Sequence, residues 1–200
     1  MKAKKRSEFV KNVEIMLKLK EKYQKEVIPA MKEKFGYRNQ MAVPKIEKVV
    51  INSGFGKMIS GASSDLQKKT QEAISADLVL ITGQKTILTK AKKSIASFKI
   101  RQGMFVGATV TLRKKRMFDF LERLIHIVFP RTRDFQGIKL SSFDRNGNLS
   151  VAIREQIVFP EIMPEKTKFI FGLEVTIKTT AKTKEEGIEL LRLLGFPLKK

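Results

Sequence analysis

The chain has 200 residues, 42% of them hydrophobic, which is enough for one sizeable domain with a proper core. Its formal charge of +21 lies far outside the range of an ordinary soluble enzyme and points to a polyanionic partner, with nucleic acid first. No apolar run approaches the roughly 18 residues of a membrane-spanning helix, and the absence of cysteine excludes disulfides, thiolate zinc sites and thiol catalysis.

The amino terminus is basic, but Glu8, Lys11, Asn12 and Glu14 interrupt the apolar residues that follow, so the continuous core of a secretory signal is missing. A cytoplasmic protein is expected. Phe9, Val13, Met16, Leu17, Tyr23 and Val27 recur at three- and four-residue steps, predicting an amphipathic helix. Pro29 should kink that helix or restart it, with an end near Phe35-Gly36. The β-branched run Lys45 to Asn52 predicts a strand, closed by a turn at Ser53-Gly54-Phe55-Gly56. Ile51 and Met58 stand where a Walker loop needs glycine and Ser or Thr, so no nucleotide loop is expected there.

Ser64 and Gln67 form a capping-box signature for a helix that Gly83 stops. Gln84 to Leu88 looks strand-like, and Thr89 to Phe98 reads as a basic loop. Between Gly107 and Arg113, Ala108, Val110 and Leu112 alternate with Thr109, Thr111 and Arg113, the clearest strand signal in the chain. Lys114 to Phe129 returns to helical spacing, and Pro130 is expected to end that helix. His126 shares a polar stripe with Asp119 and Glu122, and lacks the oriented partner a catalytic base needs. Asp144-Arg145-Asn146-Gly147 is a turn signal that could join Leu140–Phe143 and Leu149–Ile153 as a hairpin. Leu173, Val175 and Ile177 mark a half-buried strand, and Thr183 with Glu186 caps a last helix that Gly195 stops. These elements predict one α+β domain with a mainly antiparallel sheet.

No acidic side chain occurs between Asp77 and Asp119, while basic residues recur throughout that window. Lys85, Lys90, Lys92, Lys93 and Lys99 supply point charges for phosphates, and Arg101 and Arg113 can fork to phosphate or stack on a base. Gln84, Gln102, Thr109 and Thr111 add neutral donors and acceptors. Phe98 and Phe105 could stack on bases, although burial tendencies favour core packing for both. No paired carboxylates, nucleophile elbow or dinucleotide motif accompanies them, so neither an enzyme nor a cofactor is expected. An RNA-modifying enzyme would need such a pocket, and a DNA-coating protein would bind duplex DNA as tightly as folded RNA.

The wording of the chain resembles the bacterial large-subunit ribosomal protein family number five, which binds 5S rRNA. The matching stretches include Val43–Lys48, Gly83-Gln84-Lys85, Thr89–Ser94, Phe98–Gly103, Val110–Arg113, Pro130–Phe135, Arg154–Glu161 and Thr179–Lys182. The resemblance implies a curved antiparallel sheet with helices packed on one face and the other open to RNA. It assigns Asn52, Gln84, Thr111 and Arg113 to hydrogen bonds with 5S rRNA, with Lys85 assisting at phosphates. The loop carrying Lys90, Lys92, Lys93, Ser94, Lys99, Arg101 and Gln102 would face the peptidyl-site tRNA. Other surfaces would meet 23S rRNA and the small-subunit head protein number thirteen.

Residues 19–200 would form the single domain, with 1–18 a basic extension ahead of the usual start. That extension has two readings, a further RNA contact or a lengthened first helix. Deleting residues 1–18 separates them, because only an added contact predicts lower affinity and a smaller salt slope for 5S rRNA and the neighbouring 23S helix.

Overall fold

The structure, a computed structural model, describes residues 19–133 and 135–199. The basic extension and the start of the predicted first helix lie outside these residues. The described part of that helix, α1, comprises an α-helical turn (Leu19–Lys22), a π-helical turn (Tyr23–Val27) and a second α-helical stretch (Ile28–Phe35). The wide turn stands just ahead of Pro29. Its last bond runs from the Ile28 N–H to the Tyr23 carbonyl, and Pro29 then sits in the first turn of the next stretch, where a missing N–H costs little. Gly36 ends the helix in the left-handed region.

Strand β1 (Ile46–Gly54) is followed by the short helix α2 (Gly56–Ile59) and the long helix α3 (Ser64–Thr82). Next come β2 (Ile87–Lys90) and β3 (Phe105–Leu112). Helix α4 repeats the device of α1, with an α-helical stretch (Lys114–Arg123), a π-turn (Leu124–Val128) and a last turn (Phe129–Arg131). Strands β4 (Leu149–Ile153) and β5 (Leu173–Thr179) precede the final helix α5 (Lys184–Leu194).

All the pairings among these strands are antiparallel, in the order β2-β3-β1-β5-β4. Register explains which face is covered. Val49 lies between Leu112 and Ile177, and Ile51 between Val110 and Val175, all on the side where the helices pack. Val49 and Ile51 are fully buried, and burying such a side chain contributes about 1.5–3 kcal/mol. A one-residue slip would turn this whole set outward, so the register is fixed by burial. The inner rows continue through Leu149, Ile153 and Leu173, and the helices add Ile74, Leu78, Phe120, Leu124, Leu190 and Leu191.

Several sequence expectations are corrected. Strand β1 continues through Ser53 and Gly54, because Ser53 points inward and its hydroxyl donates to the Gly172 carbonyl at 2.8 Å. The cap of α3 is Ser63, whose hydroxyl accepts from the Leu66 N–H, while Gln67 donates to the Ala62 carbonyl. Gln84 and Lys85 lie in the connection after α3, and the strand begins only at Ile87. Thr89 and Lys90 therefore belong to a strand and not to the loop.

Pro130 does not stop its helix. The Phe129 N–H bonds the Leu124 carbonyl, and this opened turn accommodates the proline ring. The Asp144 turn forms as read, with its carboxylate accepting from the Asn146 and Asn148 N–H groups at 2.9 and 2.7 Å. Its first arm is not a strand, since Leu140–Ser142 is a 3₁₀ turn and only Phe143 bridges to Leu149.

That turn packs directly on the start of α5, where Gly187 meets the backbone of Gly147. A Cβ at Gly187 would overlap Gly147, so Gly187→Ala should destabilise the fold by about 1–3 kcal/mol. Urea denaturation checks this, and an unchanged midpoint would contradict the packing described.

Candidate nucleic-acid interface

Among the described residues the helices leave one face of the sheet uncovered, and strand register defines what it presents. One row crosses all five strands as Ile87, Thr109, Asn52, Glu174 and Ala152. A second row runs Thr111, Val50, Thr176 and Ser150. The centre of the face is therefore mostly small and neutral. Thr109 donates its hydroxyl to the Ile51 carbonyl at 3.2 Å, and the Ser150 and Thr176 hydroxyls share a bond at 3.1 Å. Asn52 is exposed near the end of the central strand and makes no side-chain hydrogen bond among the described residues, so its amide can offer both donors and an acceptor to a ligand.

Cations gather at one end of this face. Lys48 of β1 registers with Lys178 of β5, and Arg113 follows Leu112 at the same end of β3. Lys178 is tethered to Glu47 at 3.2 Å, which leaves Lys48 and Arg113 free of ion pairs among the described residues. Gln84 comes to this end from the covered layer. Its side-chain Nε2 donates to the Thr111 carbonyl at 3.2 Å, and the exposed Lys85 follows it. The Thr82 hydroxyl donates to the Leu78 carbonyl and also accepts from the Gln84 N–H, so the end of α3 fixes where Gln84 starts. The structure thus brings Gln84, Lys85, Thr111 and Arg113 together, with Asn52 further along the face.

The opposite end carries the segment from Ala91 to Met104. It is braced rather than slack. Ala91 and Met104 are tied by an N–H bond at 2.8 Å, Ile95 and Ile100 bridge, and the Ser60 hydroxyl donates to the Phe98 carbonyl at 2.6 Å. Ser94 is part of the brace, because its hydroxyl accepts from the Gln102 N–H at 2.9 Å. Lys99 holds a left-handed backbone at φ 49°, which turns the chain at the tip. Lys90, Lys92, Lys93, Lys99, Arg101 and Gln102 are exposed, and the Lys90 ammonium stands 5.2 Å from the centre of the Phe105 ring. Between this loop and the start of α3 lies an open cleft of about 1020 Å³. Phe98 departs from the expected core packing, being 62% exposed.

Sequence reading missed Lys48, Lys178, Thr176 and Ser150 as members of this face. Alternation along the strand at 173–179 already pointed Glu174, Thr176 and Lys178 to one side, but only strand order reveals that this side adjoins Asn52. His126 is exposed on α4 and its pKa is lowered, by partial burial and then by the nearby Lys22 charge. Among the described residues no cluster of His, Asp and Glu is placed to hold a metal ion.

A neutral polar sheet face with cations at both ends, on a strongly basic chain, defines a nucleic-acid-binding α+β domain. Comparison with known proteins narrows that class. Residues 39–101 match the family described as ribosomal protein L5, and residues 105–198 match the model of that family's C-terminus. The large ribosomal subunit proteins uL5 of Carboxydothermus hydrogenoformans and Dictyoglomus turgidum are each 53% identical over 182 residues, 91% of this chain and 98% of the relative. That of Clostridium beijerinckii is 52% identical with the same coverage. The chain belongs to the ribosomal protein L5 family and is a structural, non-enzymatic constituent of the large ribosomal subunit. In bacteria that subunit is cytoplasmic, and membership implies partnership with ribosomal RNA.

The exposure of Phe98 separates a surface role from a packing role. Phe98→Ala should change stability by less than about 0.5 kcal/mol, whereas Phe55→Ala, at a fully buried ring, should cost about 3–5 kcal/mol. Equal losses in denaturant titrations would mean that Phe98 is a packing residue after all.

Proposed function

We propose that this chain docks 5S rRNA to the large subunit through the uncovered face of its sheet. Asn52, Gln84, Thr111 and Arg113 make the polar contacts, and Lys85 meets a phosphate. The observation that carries this reading is the one-sidedness of the sheet. Five strands hold a largely uncharged surface in fixed register while the helices that bring Ile74, Leu78, Phe120, Leu124, Leu190 and Leu191 to the core pack behind it. Such a surface suits RNA, whose wide minor groove displays 2′-hydroxyls and base edges to a broad, shallow partner. Phosphate contacts from Arg113, Lys48 and Lys85 then set position, and the side chains of the central rows read what lies between. Glu174, in the row with Asn52, has a role in this scheme as an acceptor for a hydroxyl, and it repels misplaced phosphate.

Lys90, at the end of β2, and the loop from Ala91 to Gln102 are assigned to a different RNA, the peptidyl-site tRNA. What supports this is its position beyond the opposite end of the sheet, its bracing and its exposed cations, with Phe98 available for stacking. Contacts with 23S rRNA and with the small-subunit head protein number thirteen, and a domain boundary at residues 18 and 19, complete the proposal by family resemblance.

Competition binding at controlled salt is the test. The chain should prefer 5S rRNA over an unrelated RNA of equal length, and equal affinity for the two would sink the reading. Within that assay, Asn52→Ala and Thr111→Val should each weaken binding by about 1 kcal/mol, roughly fivefold, without altering the salt slope. Arg113→Gln should instead lower the slope by roughly one unit, as expected for a lost phosphate contact.

A further inference from the structure

The carboxyl end of α3 is completed by a cation from another helix. Over its 19 residues the peptide dipoles align, so this end carries partial negative charge, yet the last turn holds no basic residue. The final carbonyls also lack helical donors and need partners from elsewhere. The Val79 carbonyl accepts from the Gly83 N–H at 2.8 Å, and the Leu78 carbonyl from the Thr82 hydroxyl at 2.6 Å. The Ile81 carbonyl is met from outside α3, by the Arg123 guanidinium of α4 at 3.0 Å.

Arg123 is itself held in place. Its Nε donates to the Asp119 carbonyl at 3.4 Å, one turn back on α4, and its Nη1 pairs with the Glu161 carboxylate. Glu161 belongs to a packed segment, in which the buried Phe159 stacks on Phe120 with ring centres 6.1 Å apart and the Ile162 N–H donates to the Phe159 carbonyl at 3.2 Å. The side chains of Arg123 and Glu161 are only 32% and 23% exposed, and each guanidinium nitrogen is engaged within the protein. Arg123 therefore differs from the exposed Arg113, whose guanidinium is available to a phosphate.

What Arg123 holds leads to the RNA-binding end of the sheet. The Ile81 carbonyl and the Thr82 N–H share one peptide plane, so fixing the carbonyl fixes where Thr82 begins. Gly83 then turns the chain through the left-handed region at φ 64°. The Thr82 hydroxyl accepts from the Gln84 N–H at 3.3 Å, and the Gln84 amide donates to the Thr111 carbonyl at 3.2 Å. At the far end of this connection the Thr86 and Ser75 hydroxyls share a bond at 2.5 Å, which leaves its near end, at Ile81, to Arg123. A continuous path of polar contacts thus runs from Glu161 through Arg123, Ile81 and Thr82 to Gln84 and Thr111.

We propose that Arg123, clamped by Glu161, is a positioning residue. It fixes the exit of α3 and so presents Gln84 and Lys85 to RNA without touching RNA itself. The inference rests on the reading that Gln84 and Lys85 contact 5S rRNA. Arginine suits the role because its planar fork reaches a carboxylate and a carbonyl at once, whereas a lysine ammonium is a point charge on a flexible stem. A segment already held in its bound geometry loses less entropy on binding, and this is how the clamp adds affinity.

Arg123→Lys and Glu161→Ala test this in the full-length chain. In the free protein each should shift the side-chain amide resonance of Gln84 and the backbone amides of Gly83 to Lys85, with those of Val175 and Ile177 in β5 unmoved. Each should also weaken 5S rRNA binding by roughly three- to tenfold, the effect of freeing one or two side chains. For Glu161→Ala the direction discriminates, because a chain made more positive binds RNA more tightly if general electrostatics alone is at work. In a Gln84→Ala, Lys85→Ala background the same substitutions should weaken binding by less than about twofold, since the groups they position are gone. An unmoved Gln84 amide, tighter binding by Glu161→Ala, or an equal loss in both backgrounds would overturn the proposal. Collapse of the β5 resonances in both variants would count against it too, as the mark of a general role in holding the fold. A moved amide together with a 5S affinity unchanged by Gln84→Ala, Lys85→Ala would instead overturn the docking reading at these residues and leave the clamp standing.

Discussion

The burial of one face of the central strand governs the rest of the molecule. Val49 and Ile51 are pressed between Leu112 and Val110 on one side and Ile177 and Val175 on the other, with no solvent exposure. Because side chains alternate strictly along a strand, burying this row obliges Val50, Asn52, Thr109, Thr111 and Thr176 to face outward. The interface needs no separate construction. It is the reverse side of the core, and its rigidity is that of the sheet.

Charge is arranged around this face rather than across it. Lys48, Arg113 and Lys85 stand at one end, the lysine-rich loop stands beyond the other, and the rows between carry hydroxyls, an amide, small apolar side chains and the single carboxylate of Glu174. Such a division suits a partner whose phosphates run along the edges of a groove and whose hydroxyls lie between them.

Much of the fold was legible because its signals are local. Alternation at 107–113 and 173–179 gave two of the strands, and the glycines at 83 and 195 stop their helices in the left-handed region as expected. Errors arose where tertiary bonds outweighed local rules. Gln84 reads as strand from its neighbours, yet it is held off the strand by Thr82 and reaches Thr111 with its side chain. Pro130 reads as a stop, but the opened turn ahead of it lets the helix continue to Arg131. Of the interface, the cations of the acid-free window were visible in the sequence. Lys48 and Lys178 were not, because their adjacency depends on β1 pairing with β5 across more than a hundred residues.

The central claim is that the uncovered sheet face, and not the helical side, meets 5S rRNA. Methyl resonances test it directly, since threonine, valine and isoleucine methyls report from both sides of the sheet. On addition of 5S rRNA to the full chain, the largest shifts should fall on Thr109, Thr111, Thr176 and Val50. Shifts concentrated at Thr132 and Ile157, with those four unchanged, would contradict the account.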